Sequence, residues 1–147
     1  MEDLWPNNIV DVSESLPITL VMEQAQLLDK KTKGVIAAVV EPRDSQFERF
    51  RYDFDLVVRP LDYRFTLFSL ESEVDGYPIT IFPYSKICDE LGIKTEFDFR
   101  VGREVPVLKA ADKESLISNL RLVLGSRTTQ NILNSLLSQA QKFPSRR

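Results

Sequence analysis

The sequence predicts a single α+β domain, in which an antiparallel β-meander of about five strands carries an N-terminal helix and a C-terminal helical hairpin packed on it. The 147 residues are about the commonest length for one compact domain. In the middle of the chain, short segments alternate between apolar and polar residues and are separated by turn residues, as antiparallel strands are. Near both ends, apolar residues recur at helical spacing.

The N-terminal part predicts a lead-in segment followed by a helix. Residues 1–16 contain apolar residues without a clear period. A helix should begin at Pro17, because proline suits the first helical turn and apolar residues then recur at helical spacing. Gly34 stands where glycine commonly ends a helix. The apolar stripe is wide, which predicts that more than one side of this helix is covered.

The next segments predict strands joined by turns. Residues 35–41 are rich in β-branched side chains and predict a strand buried on both faces, whereas 42–45 predict a loop. Residues 50–58 show the clearest period of two in the chain and predict a half-buried strand. A turn at 60–63 and extended character over 65–72 then predict a β-hairpin.

A further pair of strands should enclose a short helix. Turn residues at 75–76 lead into a third consecutive strand over 77–82. Residues 85–92 predict a short helix between a serine cap and a terminal glycine. Residues 97–101 alternate again and predict another strand, which 105–108 extend after a bend.

Two helices should complete the chain as an αα-hairpin. Asp112 can cap the first helix, which Gly125 ends, and Thr128 can cap the second. The second helix carries mostly uncharged polar residues on its remaining surface, and its Asn and Ser residues weaken an isolated helix. We therefore expect it to dock on the sheet or on the preceding helix of its own chain.

Composition limits the classes of function. The chain has 22 acidic and 19 basic residues, so broad affinity for nucleic acid or for an anionic membrane is not expected. Cys88 is the single cysteine, which excludes an intramolecular disulfide and a cysteine-rich metal site and fits a reducing compartment. The N-terminus is acidic and no apolar run has transmembrane length, so we expect a cytoplasmic protein.

The residues that commonly carry catalysis are scarce. The chain has no histidine, which removes Ser-His and Cys-His nucleophiles and the commonest transition-metal ligand. Cys88 lies near Lys86 at the start of the predicted short helix, a setting that can lower a thiol pKa. Because free cysteines are usually buried, we expect an inert core side chain instead. The sequence predicts no cofactor.

Asp53 and Asp55 are the candidate metal ligands, since they lie on one face of the predicted strand and could both approach one divalent cation. A hairpin turn centred on 61–62 would place the next acids, Glu71 and Glu73, on the other face. Without a third carboxylate, we favour a solvated polar face on which arginines accompany the two aspartates.

The same register would pair Asp55 with Phe68 and leave Phe68 and Leu70 beside Val57 on the polar face. The chain's own helices are the favoured cover for these side chains, and another protein is the alternative. Trp5 has two possible roles as well. It either anchors the lead-in segment to the core, which we favour, or contacts a partner. Trp5, Val57, Phe68 and Leu70 are therefore the candidate partner-surface residues.

These observations favour a non-catalytic interaction or accessory protein of a bacterial cell, such as an inhibitor, an immunity-type protein or a complex subunit. Its partner would be another protein or a second copy of the chain, and neither a membrane nor nucleic acid is expected. The alternative is a metal-dependent hydrolase, such as a nuclease or phosphatase, that uses Asp53 and Asp55. An enzyme is the less favoured interpretation.

Overall fold

Helices cover one face of a five-stranded antiparallel sheet in the computed structural model, which describes residues 1–46 and 48–143. The helices are α1 (Pro17–Lys31), α2 (Ser85–Leu91), α3 (Lys113–Leu124) and α4 (Arg127–Lys142). The strands are β1 (Ala37–Gln46), β2 (Arg49–Val58), β3 (Tyr63–Glu73), β4 (Gly76–Pro83), β5 (Thr95–Asp98), β6 (Arg103–Pro106) and β7 (Leu108–Ala110).

The sheet has the strand order β1-β2-β3-β4-β7 with antiparallel pairing throughout, and β5 and β6 form a separate hairpin. The first four strands are a meander. Together with the N-terminal helix α1 and the C-terminal pair α3 and α4, this arrangement confirms the predicted α+β fold. Within the described ranges, no helix has the length and apolar character needed to cross a membrane.

The core lies between the helices and the sheet face that alternate residues of β2, β3 and β4 form. The alternation predicted for β2 is confirmed, because Phe54, Leu56 and Val58 are all buried. α4 docks on its own chain as expected, through Leu136 and Ala140. The fully buried side chains of the other elements include Val21, Ile36, Phe68, Leu70, Ile79, Ile81, Ile87, Leu116 and Val123.

α1 begins at Pro17 as predicted, but only one side of it is covered. Val21 and Ala25 face the core, whereas Met22 and Leu27 are exposed. The prediction of a helix covered on more than one side is therefore wrong. Residues 1–16, which precede α1, are exposed along their whole length and do not fold back over it.

The first strand also differs from its prediction. β1 is a ten-residue strand at the edge of the sheet, and residues 37–41 are half-buried instead of buried on both faces. It continues through 42–45, where the composition predicts a loop, and Pro42 pairs with Tyr52 of β2. An edge strand accommodates proline because the missing N–H can face away from the neighbouring strand.

The strand predicted over 97–101 ends early and leaves the main sheet. β5 stops at Asp98 and pairs with β6, and Gly102 closes the turn by donating its N–H to the Asp98 carbonyl at 2.8 Å. Gly102 has a φ of +69°, a conformation that suits glycine in a tight turn. β7 takes the fifth place in the sheet instead. We call residues 95–106 the arm.

The C-terminal helices are capped in two different ways. Asp112 caps α3 as predicted, accepting a hydrogen bond from the Ser115 N–H at 2.9 Å. Ser126 caps α4, because its hydroxyl accepts from the Thr129 N–H at 3.1 Å. The prediction that Thr128 is the cap is wrong. Thr128 lies inside the first turn, where its N–H and hydroxyl donate to Glu90 of α2 at 2.6 and 2.7 Å.

Candidate functional site: the open sheet face and the arm

The pairing of β2 with β3 decides which side chains share a face of the sheet. Asp55 lies opposite Thr66, and Asp53 lies opposite Ser69. The predicted register is therefore wrong. The turn has the predicted length but lies one residue earlier in the chain, with Val58 paired to Tyr63 and Asp62 in a left-handed conformation with a φ of +49°. A bulge between Phe54 and Asp55 then shifts the pairing by one residue. A shift of one residue moves every side chain of a strand to the other face.

This correction removes two of the candidate partner-surface residues from the surface. Phe68 and Leu70 lie on the core face and are 1% and 2% exposed. The Phe68 ring stacks on Phe54 with 4.7 Å between the ring centroids. Val57 remains on the polar face, half-buried and opposite Arg64. The chain's own helices therefore do cover Phe68 and Leu70, but on the face opposite to the predicted one.

Asp53 and Asp55 lie on the face of the sheet that the helices do not cover, which we call the open face. Both carboxylates accept hydrogen bonds from arginine side chains and from hydroxyl groups. Asp55, only 1% exposed, accepts from Arg64 Nε at 2.7 Å and from the Thr66 hydroxyl at 2.6 Å. Asp53 accepts from Arg43 Nε and from the Ser69 hydroxyl, both at 2.6 Å. These contacts occupy the oxygens that would bind a cation.

The pKa of Asp53 also reflects its pairing with arginine and not a cation site. Burial would raise the pKa of Asp53, but the hydrogen bonds from Ser69 and Arg43 and the charges of Arg43 and Arg51 outweigh it and hold this pKa below its usual value. In the described part of the chain, no cluster of three or more acidic, cysteine or histidine side chains is arranged to hold a metal ion. The geometry gives the metal-ligand alternative no specific support.

A third carboxylate does lie on the open face, contrary to the sequence prediction. Glu71 is only 3% exposed and lies opposite Arg51 in the register. Both of its oxygens accept from the guanidinium of Arg100, each at 2.7 Å, and Arg51 approaches it at 3.5 Å. Such a bidentate pair fixes orientation as well as distance. Glu71 therefore has a structural role, because its carboxylate holds the guanidinium groups of Arg100 and Arg51 in place.

Arg100 belongs to the turn of the arm, so its pair with Glu71 ties the arm to the sheet. The hydrogen bonds to Glu71, and then those to Asp98, raise the pKa of Arg100 above its usual value. A second, more exposed pair joins Glu96 of β5 to Lys109 of β7 at 3.1 Å. The arm is therefore fixed over the edge of the open face at two points.

The arm presents aromatic side chains that are exposed to solvent. Phe99 is 90% exposed and Phe97 is 50% exposed, with their rings in edge-to-face contact at 4.8 Å between centroids. Val101 beside them is exposed as well. Phe97 and Phe99 also line an open cleft of about 530 Å³ between the arm and the sheet, together with Phe82 of β4 and Val107.

Sequence reasoning missed the arm. The alternation of Phe97, Phe99 and Val101 with Asp98 and Arg100 is typical of a strand with one buried face and predicts such a strand. The signal that could have indicated an exposed turn is Gly102, which follows the alternating residues directly. The contact between Arg100 and Glu71 spans 29 residues and has no local signature.

The remaining candidates lie outside this site. Trp5 is 75% exposed and makes no anchor for the lead-in segment, so that prediction is wrong. Cys88 is buried as expected and donates a weak hydrogen bond from Sγ to the Pro83 carbonyl at 3.3 Å. Burial, and then the charge of Asp89, raises the pKa of the Cys88 thiol, which disfavours a reactive thiolate.

Comparisons with protein-family models, curated proteins and solved structures give no match. The arm and the open face are therefore interpreted from the geometry and chemistry of this chain alone.

Proposed function

We propose that the chain is a non-catalytic interaction protein that binds another protein through the aromatic surface of the arm. The observation that carries the proposal is the contiguous exposure of Phe97 and Phe99, at 50% and 90%. Single exposed apolar side chains are common on soluble proteins, but adjoining aromatic side chains on one projecting element are typical of interaction sites. Aromatic residues also dominate the energetics of interfaces.

The attachment of the arm supports this proposal. A binding surface that is already ordered loses less conformational entropy on association than a flexible one. The bidentate contact from Arg100 to Glu71 holds the turn of the arm against the sheet, and β5 and β6 pair along their full length. The two phenyl rings are therefore presented in a defined geometry before a partner arrives.

The charges around the rings suggest what kind of partner fits. Glu96, Arg103 and Glu104 flank the aromatic residues and carry both signs. A polyanion such as nucleic acid needs a basic surface, which the arm does not offer. The matching surface is an apolar pocket with a mixed polar rim on a folded protein.

A role of this kind needs no catalytic residue, and it fits an inhibitor, an immunity-type protein or a complex subunit. We place it in the cytoplasm of a bacterial cell, where the single thiol of Cys88 would stay reduced.

Site-specific photo-crosslinking tests the proposal. A photoreactive phenylalanine analogue would replace Phe99 in cells of the organism that encodes the chain. Leu122, an exposed residue of α3 on the helical side of the sheet, is the matched control position. We expect a discrete adduct with another protein from position 99 and not from position 122, and we expect Phe97→Ser to abolish it. Equal labelling from both positions, or an adduct with a second copy alone, would contradict the proposal.

A further inference from the structure

A second groove lies between α4 and the start of β3, and it shares no lining residue with the cleft under the arm. Its volume is about 660 Å³. We call it the α4 groove. One wall carries aromatic rings, and the other carries uncharged polar side chains together with Ile132 and Leu136 of α4. The two walls therefore offer different interactions to a ligand that binds between them.

The aromatic wall is formed by Tyr63, Phe65 and Tyr84. Phe65 and Tyr84 are in edge-to-face contact at 4.9 Å between centroids, and the Tyr84 N–H donates to the Leu67 carbonyl at 2.9 Å. Tyr63 is exposed. The wall is therefore held in place from within the domain and is open to solvent at its outer ring.

The opposite wall is one side of α4. Asn131, Ser135 and Gln139 follow one another at intervals of four residues and so line up along the helix. They cover about 12 Å of the helix axis at about 1.5 Å per residue. Gln139 donates to the Ser135 hydroxyl at 3.0 Å, which orders this row. Side-chain amides and hydroxyls of this kind can bond to the backbone of a peptide.

The dimensions and chemistry of the α4 groove suit a short extended peptide that contains proline. About four residues in the polyproline conformation span about 12 Å. Aromatic-lined grooves bind such segments, because the proline ring packs on the aromatic rings while backbone carbonyls accept from polar side chains.

The charge of the groove restricts the peptide further. Lys86 is the one charged residue among those that line it, and no salt-bridge partner of Lys86 occurs in the described part of the chain. Glu90, one turn further along α2, bonds to the N-terminus of α4 instead. The matching peptide therefore carries an acidic residue near its proline.

The chain itself contains such a segment. Glu2 and Asp3 precede Trp5 and Pro6, and all of these residues are exposed. A residue before proline is disfavoured in the helical region and biased towards extended conformations, which suits insertion of the Trp5-Pro6 pair into a groove. The indole of Trp5 also offers a large apolar area, which is exposed to solvent in the monomer.

We infer that residues 2–6 of one copy bind in the α4 groove of a second copy. The indole of Trp5 packs on the aromatic wall, the backbone next to Pro6 bonds to the amides of α4, and the acidic pair lies near Lys86. Reciprocal exchange of the two segments gives a dimer. This surface is separate from the arm, so the inference does not depend on the proposed function.

Sedimentation velocity of the 147-residue chain tests the inference, with one variant for each half of the contact. Trp5→Ser removes the inserted ring, and Asn131→Glu places a negative charge in the α4 groove. Both positions are exposed, so the fold should be retained. We expect the wild-type chain to dimerise with rising concentration and each variant to dimerise at least about tenfold more weakly. Leu122→Ser, outside both surfaces, should dimerise like the wild type.

Mixing the two variants separates this contact from a general loss of stability. The Trp5→Ser chain keeps an intact groove and the Asn131→Glu chain keeps an intact segment, so a mixed dimer retains one of the two contacts of the wild-type dimer. The mixture should therefore associate more tightly than either variant alone and less tightly than the wild type. A labelled peptide of residues 1–12 should likewise bind the Trp5→Ser chain and not the Asn131→Glu chain. A wild-type chain that stays monomeric, a mixture that does not associate, or dimers unaffected by either substitution would overturn the inference.

Discussion

Leu56 is the residue of β2 whose truncation tests the assignment of the two sheet faces. It is 0% exposed and lies in the centre of the core face. We expect Leu56→Ala to lower the free energy of unfolding by about 2–5 kcal/mol, because it removes buried methyl groups and leaves a cavity. Urea denaturation measures this loss. Leu122→Ala, on an exposed position of α3, should stay within about 0.5 kcal/mol of the wild type. A loss below about 1 kcal/mol for Leu56→Ala would mean that the face assignment is wrong.

Glu71 and Arg100 allow a double-mutant cycle on the contact that holds the arm. Glu71 is buried and Arg100 is mostly covered, so little water screens the pair. From Glu71→Gln, Arg100→Met and the double variant, we expect a coupling free energy of about 1–3 kcal/mol in urea denaturation.

The matched control for this cycle is the pair of Arg49 of β2 and Glu73 of β3, which lie 3.5 Å apart and are both exposed. Its coupling should be below about 1 kcal/mol, since exposed pairs are screened by solvent and salt. Equal coupling in the two cycles would show that burial of Glu71 does not strengthen the attachment of the arm.

At the scale of elements, the sequence predicts best where one period persists. The spacing of apolar residues in α1, α3 and α4 and the alternation in β2 predict their types and approximate bounds, because burial against one core imposes that period. The bounds of β1 could not be predicted in this way. Pro42 is typical of a loop, and only its position at a sheet edge makes it compatible with a strand.

Glu90 joins two elements, because this side chain of α2 accepts hydrogen bonds from the N-terminus of α4. The hydrogen bonds from the Thr128 hydroxyl and from the Thr128 and Arg127 N–H groups lower the pKa of Glu90. A carboxyl group with a lowered pKa in the folded state stabilises the fold above its unfolded pKa, and this stabilisation is lost as the pH falls through the folded value.

We therefore expect Glu90→Gln to lower the melting temperature at pH 7, and we expect this difference to shrink below about pH 4 as the wild-type carboxyl group is protonated. Thermal melts followed by circular dichroism at several pH values measure it. Glu23→Gln, on an exposed position of α1, is the control and should change little at either pH. A difference that is constant with pH would indicate that the charge of Glu90 contributes nothing to the cap.

At the scale of the whole molecule, the α+β class and the docking of the C-terminal helices could be predicted, but the open face and the arm could not. The register of β2 and β3 depends on the left-handed conformation of Asp62 and on one bulge, and a one-residue error exchanges core and surface. The bulge therefore puts Phe68 and Leu70 on the core face, whereas the sequence predicts the polar face. Arg100 and Glu71 are 29 residues apart in the sequence, so the local pattern of apolar and polar residues does not predict their contact.

The C-terminal helix α4 is both part of the core and one wall of the α4 groove. Leu136 and Ala140 are buried in the core, and Ser126 and Glu90 fix the start of the helix. Deletion of residues 126–147 removes these contacts and exposes the apolar surface that α4 covers. We expect an aggregated or molten product, with bound hydrophobic dye and poor dispersion in the amide NMR spectrum.

Deletion of residues 1–12 is the matched control, since every one of these residues is exposed and none belongs to the core. This shorter chain should melt cooperatively and keep native-like amide dispersion. Both deletions remove a terminal segment that contains apolar residues, so the comparison separates a structural element from one that is free to bind elsewhere. A cooperative melt with native-like dispersion for the chain without residues 126–147 would contradict the structural role of α4, because a detachable helix leaves a folded remainder.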